Sequence, residues 1–247
     1  MRRKMLRSIS LTLTSILCLV VLQQAALAGP PLICHPFEIG SARSLPWTGP
    51  QWRGVNKSYD TSRLVEDTLA LLTPETPVLV RMETLRRATV YGLMPTADVK
   101  VKSPVKDVAI ATELLARLKA RVPEPGSKSN KRAAALAMFD YGYLIESYRQ
   151  TGNDSGGPKL AGDVDGYALI VKSIGLRGGD AEMELGAALA CGGKRQQNGR
   201  YAYVVHVQRS AEGAGEGSLL AKNLLSHFNH LGNTIAELRA SATTAKN

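Results

Sequence analysis

Residues 163–191 constrain the fold more than any other stretch, because their pattern predicts two helices folded back on each other through a four-residue turn. The first half carries apolar residues at helical spacing: Val164, Tyr167, Ala168, Val171 and Ile174. We expect this half to form a buried helix. The turn "RGGD" supplies Gly178 as the left-handed residue that ends a helix and Asp180 as the N-cap of the next helix.

The second helix of this hairpin has a narrow face of small residues, which permits close packing. Before the turn stand Lys172, Ser173, Ile174 and Leu176, and after it stand Leu185 and Gly186. In these residues the segment Lys172–Leu189 resembles the junction between two tetratricopeptide repeats. The resemblance implies stacked helical hairpins whose concave or groove side binds a protein or a peptide.

Helical patterns with start signals recur through the rest of the chain, near residues 61, 77, 104, 131, 164, 180, 200 and 216. Their spacing is uneven, whereas a regular solenoid has a fixed period. The aromatic content of 5% is low for an all-β sandwich. The sequence therefore predicts an all-α fold, an irregular stack of about four helical hairpins that is tetratricopeptide-like in part, with an extended N-terminal arm.

Three local expectations rest on ambiguous patterns. Residues 200–209 alternate like a strand, but their helical surroundings favour a helix. In the helix that begins near residue 77, Arg86 and Arg87 should point outward, away from an apolar face. Tyrosines in the helix that begins near residue 131, among them Tyr141, should lie either in the core or along a groove.

The first 28 residues predict export. Four basic residues precede an apolar run over residues 9–22, and Ala26-Leu27-Ala28 matches a small-x-small cleavage site. The alternative is a retained membrane anchor, but the run is short of the roughly 20 residues that a spanning helix needs. Removal of this signal peptide takes four of the formal +10 charges with it, so the periplasmic or secreted chain is only moderately basic.

Composition divides the rest of the chain into three parts. Residues 29–60 form an extended arm, in which proline and glycine recur too often for a helix. Residues 61–242 form the helical domain, with the glycine-rich stretch 152–162 as a candidate boundary inside it. Residues 243–247 form a frayed tail.

Two pairs of residues are the candidate site residues. Trp47 and Trp52 either pin the arm to the helical body or form an aromatic platform for a sugar or a peptide. Cys34 and Cys191 remain after signal cleavage and can form a disulfide in an oxidising compartment, which would tie the arm to the hairpin. The alternative is two buried thiols that never meet.

The sequence lacks recognisable motifs for catalysis, cofactors and metals. Its histidines and cysteines have no acidic partner at the spacing of a three-ligand site, and "GAGEG" at 213–217 lacks the ending of a phosphate-binding loop. Basic residues cluster in loops without interleaved aromatics, which argues against nucleic acid and leaves weak attraction to anionic envelope surfaces. We therefore expect no catalytic, cofactor-binding or metal-binding residues.

Two functions remain open. The preferred hypothesis is an exported, non-enzymatic helical scaffold or interaction protein that binds a protein or peptide partner. The alternative is an exported helical enzyme or binding protein for a cell-envelope polymer or glycan, which would use the two tryptophans and the basic loops. A glycan-binding screen with Trp47→Ala and Trp52→Ala variants separates the two.

Overall fold

The computed structural model describes residues 32–94, 108–124, 126–128, 130–152, 156–196 and 200–244. The predicted all-α class is confirmed over these residues, which contain no strand. The ten α-helices found there, after a 3₁₀ turn at Thr61–Arg63, are α1 (Leu64–Leu71), α2 (Val78–Leu93), α3 (Val108–Arg121), α4 (Lys131–Arg149), α5 (Gly157–Ala161), α6 (Gly166–Arg177), α7 (Ala181–Ala190), α8 (Ala202–Gly213), α9 (Leu219–Phe228) and α10 (Ile235–Thr244).

Helix α4 lies at the centre of the fold. The Asn130 side chain accepts hydrogen bonds from the first backbone amides of this helix and so defines its start. From Ala134 to Tyr148 every residue except Ala137 is buried. This burial follows from position, because α2, α3, α5, α6 and α7 all pack against α4.

The predicted hairpin at 163–191 is confirmed as α6, a turn and α7. Asp165 caps α6, Gly178 ends it with a φ of 73°, and Asp180 accepts hydrogen bonds from the amides of Glu182 and Met183 at the start of α7. These are local contacts between residues close in sequence. The signals that predicted the hairpin therefore act within the hairpin itself.

The prediction that α6 is a buried helix is wrong. Val164 and Val171 are 41% and 40% exposed, and the buried residues of α6 are confined to one face. Helix α6 packs against α4 and α7 on that face. Its remaining apolar residues are therefore left at the surface.

The helix favoured for residues 200–209 is confirmed as the first part of α8. Every residue from Ala202 to Val207 is buried, because α8 packs against both α7 and α10. The alternation of apolar residues was therefore no guide to the buried face. Val204 and His206 are as inaccessible as the residues between them.

The predicted outward orientation of Arg86 is also wrong. Its guanidinium is fully buried and donates to both carboxylate oxygens of Glu83, at 2.7 and 2.8 Å. It also donates to the backbone carbonyls of Ile33 and Trp52, at 3.3 and 3.0 Å. Arg87 is partly exposed and donates to the same glutamate at 2.6 Å. The charge is buried because a carboxylate and the N-terminal segment supply its partners.

Residues 32–60 contain no α-helix and lie against the helical body. The amide of Phe37 donates to Glu83 at 3.0 Å. Glu38 exchanges two hydrogen bonds of 2.9 Å with the Asn223 side chain. This segment is therefore attached to α2 on one side and to α9 on the other.

Two expectations lie outside the described residues. They are the signal peptide at 1–28 and the helix start near residue 104. Within the part of the chain that the structure describes, none of the helices has the length and hydropathy needed to cross a bilayer.

Candidate functional site

A groove of about 730 Å³ lies between α3 and α6, with α4 as its floor. Met138 and Tyr141 of α4 form the floor. Ala116 and Ala120 line the α3 wall, and Val164 and Leu169 line the opposite wall. The lining is therefore mostly apolar, and its volume falls in the range of known ligand sites.

The two walls are held to α4 by different means. Gly142 of α4 faces Gly166 of α6 so closely that a Cβ on Gly142 would lie 2.6 Å from the Gly166 carbonyl oxygen. On the other side, the Tyr148 hydroxyl donates to the carbonyl of Ala111 in α3 at 3.0 Å. Since both contacts are made by α4, α3 and α6 stand on either side of its groove face.

The charges around the groove are mostly positive. Lys119 on the α3 wall and Lys172 on the α6 wall are both exposed, and Glu124 stands beyond the end of α3. At the floor, burial is the only cause that raises the pKa of Tyr141. The groove therefore combines an apolar, uncharged floor with a lysine on each wall.

The tyrosines of α4 divide between the groove and the core. Tyr141 lines the groove, whereas Tyr143 and Tyr148 are fully buried. The sequence left both environments open for these residues. Their separation follows from helical geometry, because positions two residues apart point about 200° apart around the helix axis.

A buried chain of hydrogen bonds joins α6, α7 and α8. The Tyr167 hydroxyl lies 2.7 Å from Nε2 of His206, and Nδ1 of His206 is hydrogen-bonded to the Glu184 carboxylate. Because a carboxylate only accepts, Nδ1 carries the proton and Nε2 accepts from the tyrosine. Burial, followed by the nearby Cys191 and Glu184, raises the pKa of Tyr167 to about 12. The phenol therefore stays protonated at neutral pH, and the chain links three helices.

The two cysteines are free thiols in the structure, so the predicted disulfide is not formed there. Cys191 is buried, and its sulfur lies 3.3 Å from the Ala188 carbonyl oxygen of its own helix. Burial raises the pKa of Cys191 to about 12 and also raises that of the half-buried Cys34. Both side chains are therefore thiols rather than thiolates at neutral pH.

The two tryptophans are half-buried and lie at separate contacts. Trp47 packs edge-on against Tyr91, at 5.8 Å between ring centroids, and lies under the guanidinium groups of Arg86 and Arg87. The Arg53 guanidinium covers Trp52 at 4.2 Å from its ring centroid. The faces of both rings thus contact arginines of the chain itself, the arrangement expected of residues that pin the arm.

Comparisons with known protein families, with curated proteins and with solved structures returned no match. Function is therefore inferred from the geometry of the chain itself. Among the described residues, no group of three or more histidine, cysteine, aspartate or glutamate side chains is placed to hold a metal ion.

Sequence reasoning missed the residues that shape the groove. Gly142 and Gly166 are both glycines inside or at the start of a predicted helix, a position that costs about 1 kcal/mol of helix stability. That cost is a signal of close packing. It does not reveal which two helices meet, because the partners are 24 residues apart in number and paired only by the fold.

Proposed function

We propose that the protein is an exported helical binding protein that holds a short peptide segment in the groove between α3 and α6. The segment is apolar on one side and carries at least one acidic residue. The observation that carries this proposal is the apolar floor of Met138 and Tyr141 between Lys119 and Lys172. A partner with the opposite charge would approach these lysines, while its apolar side chains would displace water from the floor.

The surface next to the groove supports the same occupant. Val164 is 41% exposed at the groove wall, and Val171 on the same helix is 40% exposed. Exposed apolar residues that cluster beside a groove are typical of protein interaction sites. A helical segment would present its side chains at i, i+3 and i+4 to such a surface.

Export is part of the proposal and rests on the pattern of the first 28 residues. A chain with a functional signal peptide is cleaved after Ala28 and begins at Gly29. Intact-mass measurement of the protein recovered from the periplasm or medium of an expressing bacterium checks this. Recovery of the uncleaved chain in the cytoplasm would contradict export without bearing on the groove.

Selection from a randomised peptide display library tests the groove. We expect peptides that combine Asp or Glu with Leu, Ile or Phe to be enriched, and to lose about tenfold in affinity for the Lys172→Glu variant. Lys222→Glu is the matched control, because Lys222 is an exposed residue of α9 with the same charge change outside the groove. Enriched peptides without acidic residues, or equal losses in the two variants, would contradict the proposal.

A further inference from the structure

A second cavity, of about 460 Å³, lies against a different face of α4. Ala133, Leu136, Ala137 and Asp140 of α4 form one side of it. Residues 69–74, at the end of α1, line another side. Two arginines, Arg81 of α2 and Arg121 of α3, complete the lining. The cavity is thus an apolar space with one carboxylate and two guanidinium groups in its wall.

The carboxylate in this wall has one oxygen without a partner. Asp140 is 2% exposed, and its Oδ2 accepts from Nη1 of Arg81 at 2.5 Å. Its Oδ1 has no hydrogen-bond partner among the described residues. A buried polar atom left in this way destabilises a protein by about 1–3 kcal/mol, so it points to a missing hydrogen-bond donor.

The arginines are already engaged and do not supply that donor. Arg81 donates from Nε to the Thr76 carbonyl at 3.0 Å and from Nη2 to the Thr73 carbonyl. Arg121 donates to the carbonyls of Leu69 and Leu72, at 3.2 and 3.3 Å. These four carbonyls follow the end of α1 or belong to its last turns, so the arginines hold that end in place.

The charge balance of the wall limits what can enter. Two guanidinium groups outnumber one carboxylate, and a carboxylate already paired with Arg81 gains little from a second cation. An ammonium group is therefore disfavoured. A neutral hydroxyl group can donate to Oδ1 without adding charge, while the leucine and alanine side chains accommodate an apolar body.

We propose that this cavity is a binding site for a small neutral molecule with an apolar body and one hydroxyl group, which donates a hydrogen bond to Oδ1 of Asp140. The site is independent of the peptide groove, which is lined by other residues of α4. The hydroxyl satisfies the unpartnered oxygen, and the apolar body displaces water from the space between α1 and α4.

A matched pair of probes tests the hydroxyl. 4-Ethylphenol and 4-ethyltoluene differ by a hydroxyl in place of a methyl group, and binding of each is measured by ligand-observed NMR at about pH 8, where the buried carboxylate is charged. We expect the phenol to bind about tenfold more tightly than the toluene, as for a hydrogen bond to a charged group. Equal affinities, or a water-filled cavity that takes neither probe, overturn the proposal.

Two variants locate the binding. In Asp140→Asn the amide oxygen stays on Arg81, since guanidinium only donates, and the amide nitrogen replaces Oδ1. The ketone 4-ethylacetophenone, which only accepts, should then bind the variant more tightly than the wild type. Ala137→Leu fills the cavity without touching the ion pair and should weaken phenol binding about tenfold. Unchanged probe preference in the first variant, or wild-type affinity in the second, overturns the assignment.

Discussion

Gly142 and Gly166 face each other across the contact of α4 and α6 with no room for a side chain on either. A Cβ on Gly142 would lie 2.6 Å from the Gly166 carbonyl oxygen, and a Cβ on Gly166 would lie 2.5 Å from the Gly142 carbonyl oxygen. Both distances end on backbone, so neither contact can be relieved by a side-chain rotation. The spacing of these helices, and with it one wall of the groove, therefore depends on two glycines.

Replacement of Gly142 by alanine should lower the free energy of unfolding by about 1–3 kcal/mol, because the helices must move apart to admit the methyl group. Gly175→Ala is the matched control. Gly175 is an exposed glycine of α6 whose Cβ would meet nothing within 4 Å, so alanine there should stabilise the helix by up to about 1 kcal/mol. Urea denaturation measures both, and equal effects of the same sign would contradict this packing.

The buried pair of Arg86 and Glu83 should matter far more than an exposed pair of the same type. Arg86→Met leaves the buried carboxylate with fewer partners and frees two carbonyls of residues 32–60, so we expect a loss of about 3–5 kcal/mol. Arg117→Met is the control, since Arg117 and Glu113 are about half-exposed and 3.8 Å apart. Its loss should stay below about 0.5 kcal/mol. Similar losses in the two variants would show that the buried pair does not anchor the segment.

His227 should make the stability depend on pH. Burial lowers its pKa to about 4, with His35 as a further cause and Glu83 opposing the shift. The unfolded chain, with an ordinary histidine pKa near 6.5, then binds more protons than the folded chain, so stability is lost as pH falls from about 6.5 to 4. We expect a loss of about 3 kcal/mol relative to His227→Gln over that window.

Asp140 titrates in the opposite direction and does not confuse this comparison. Burial raises its pKa to about 6 although Arg81 opposes the shift, so the folded chain binds its proton more tightly than the unfolded chain. Its contribution to stability therefore falls as pH rises through this range. Because wild type and His227→Gln both contain Asp140, its effect cancels in their difference. A difference that stays constant from pH 7 to pH 4 would contradict a buried neutral His227.

The two thiols should react at different rates. Cys34 is half-buried and Cys191 is buried, with burial raising the pKa of Cys191 to about 12. A maleimide should therefore label Cys34 at least about tenfold faster than Cys191 in the native protein, and both equally in denaturant. If the exported protein forms the disulfide instead, neither cysteine is labelled in denaturant until a reductant is added.

Short-range features of this chain could be predicted from sequence, because their causes lie within a few residues. Asp180 caps the helix that it precedes, and Gly178 ends the helix that it follows. Arg86 shows the limit of such reasoning. Its carboxylate partner is three residues away, but its burial depends on carbonyls of Ile33 and Trp52, which no periodicity reveals.

The candidate sites were beyond sequence reasoning for the same reason. Asp140 becomes notable only because Arg81, 59 residues earlier, occupies one of its oxygens and leaves the other unpaired. Tyr141 was a candidate for a groove, yet the groove exists because α3 and α6 flank α4. The exposed Val164 and Val171 reversed the expectation of a buried α6, since apolar composition does not say how many neighbours a helix has.

The most direct test of the peptide groove is the NMR signal of the Met138 methyl group. In protein labelled at methionine methyls, the tightest peptide from the display selection should shift Met138, which lines the groove. Met82 and Met183 are fully buried outside it and serve as internal references. The account predicts a saturable shift of Met138 with the references unmoved. A peptide that binds while Met138 stays in place would contradict it.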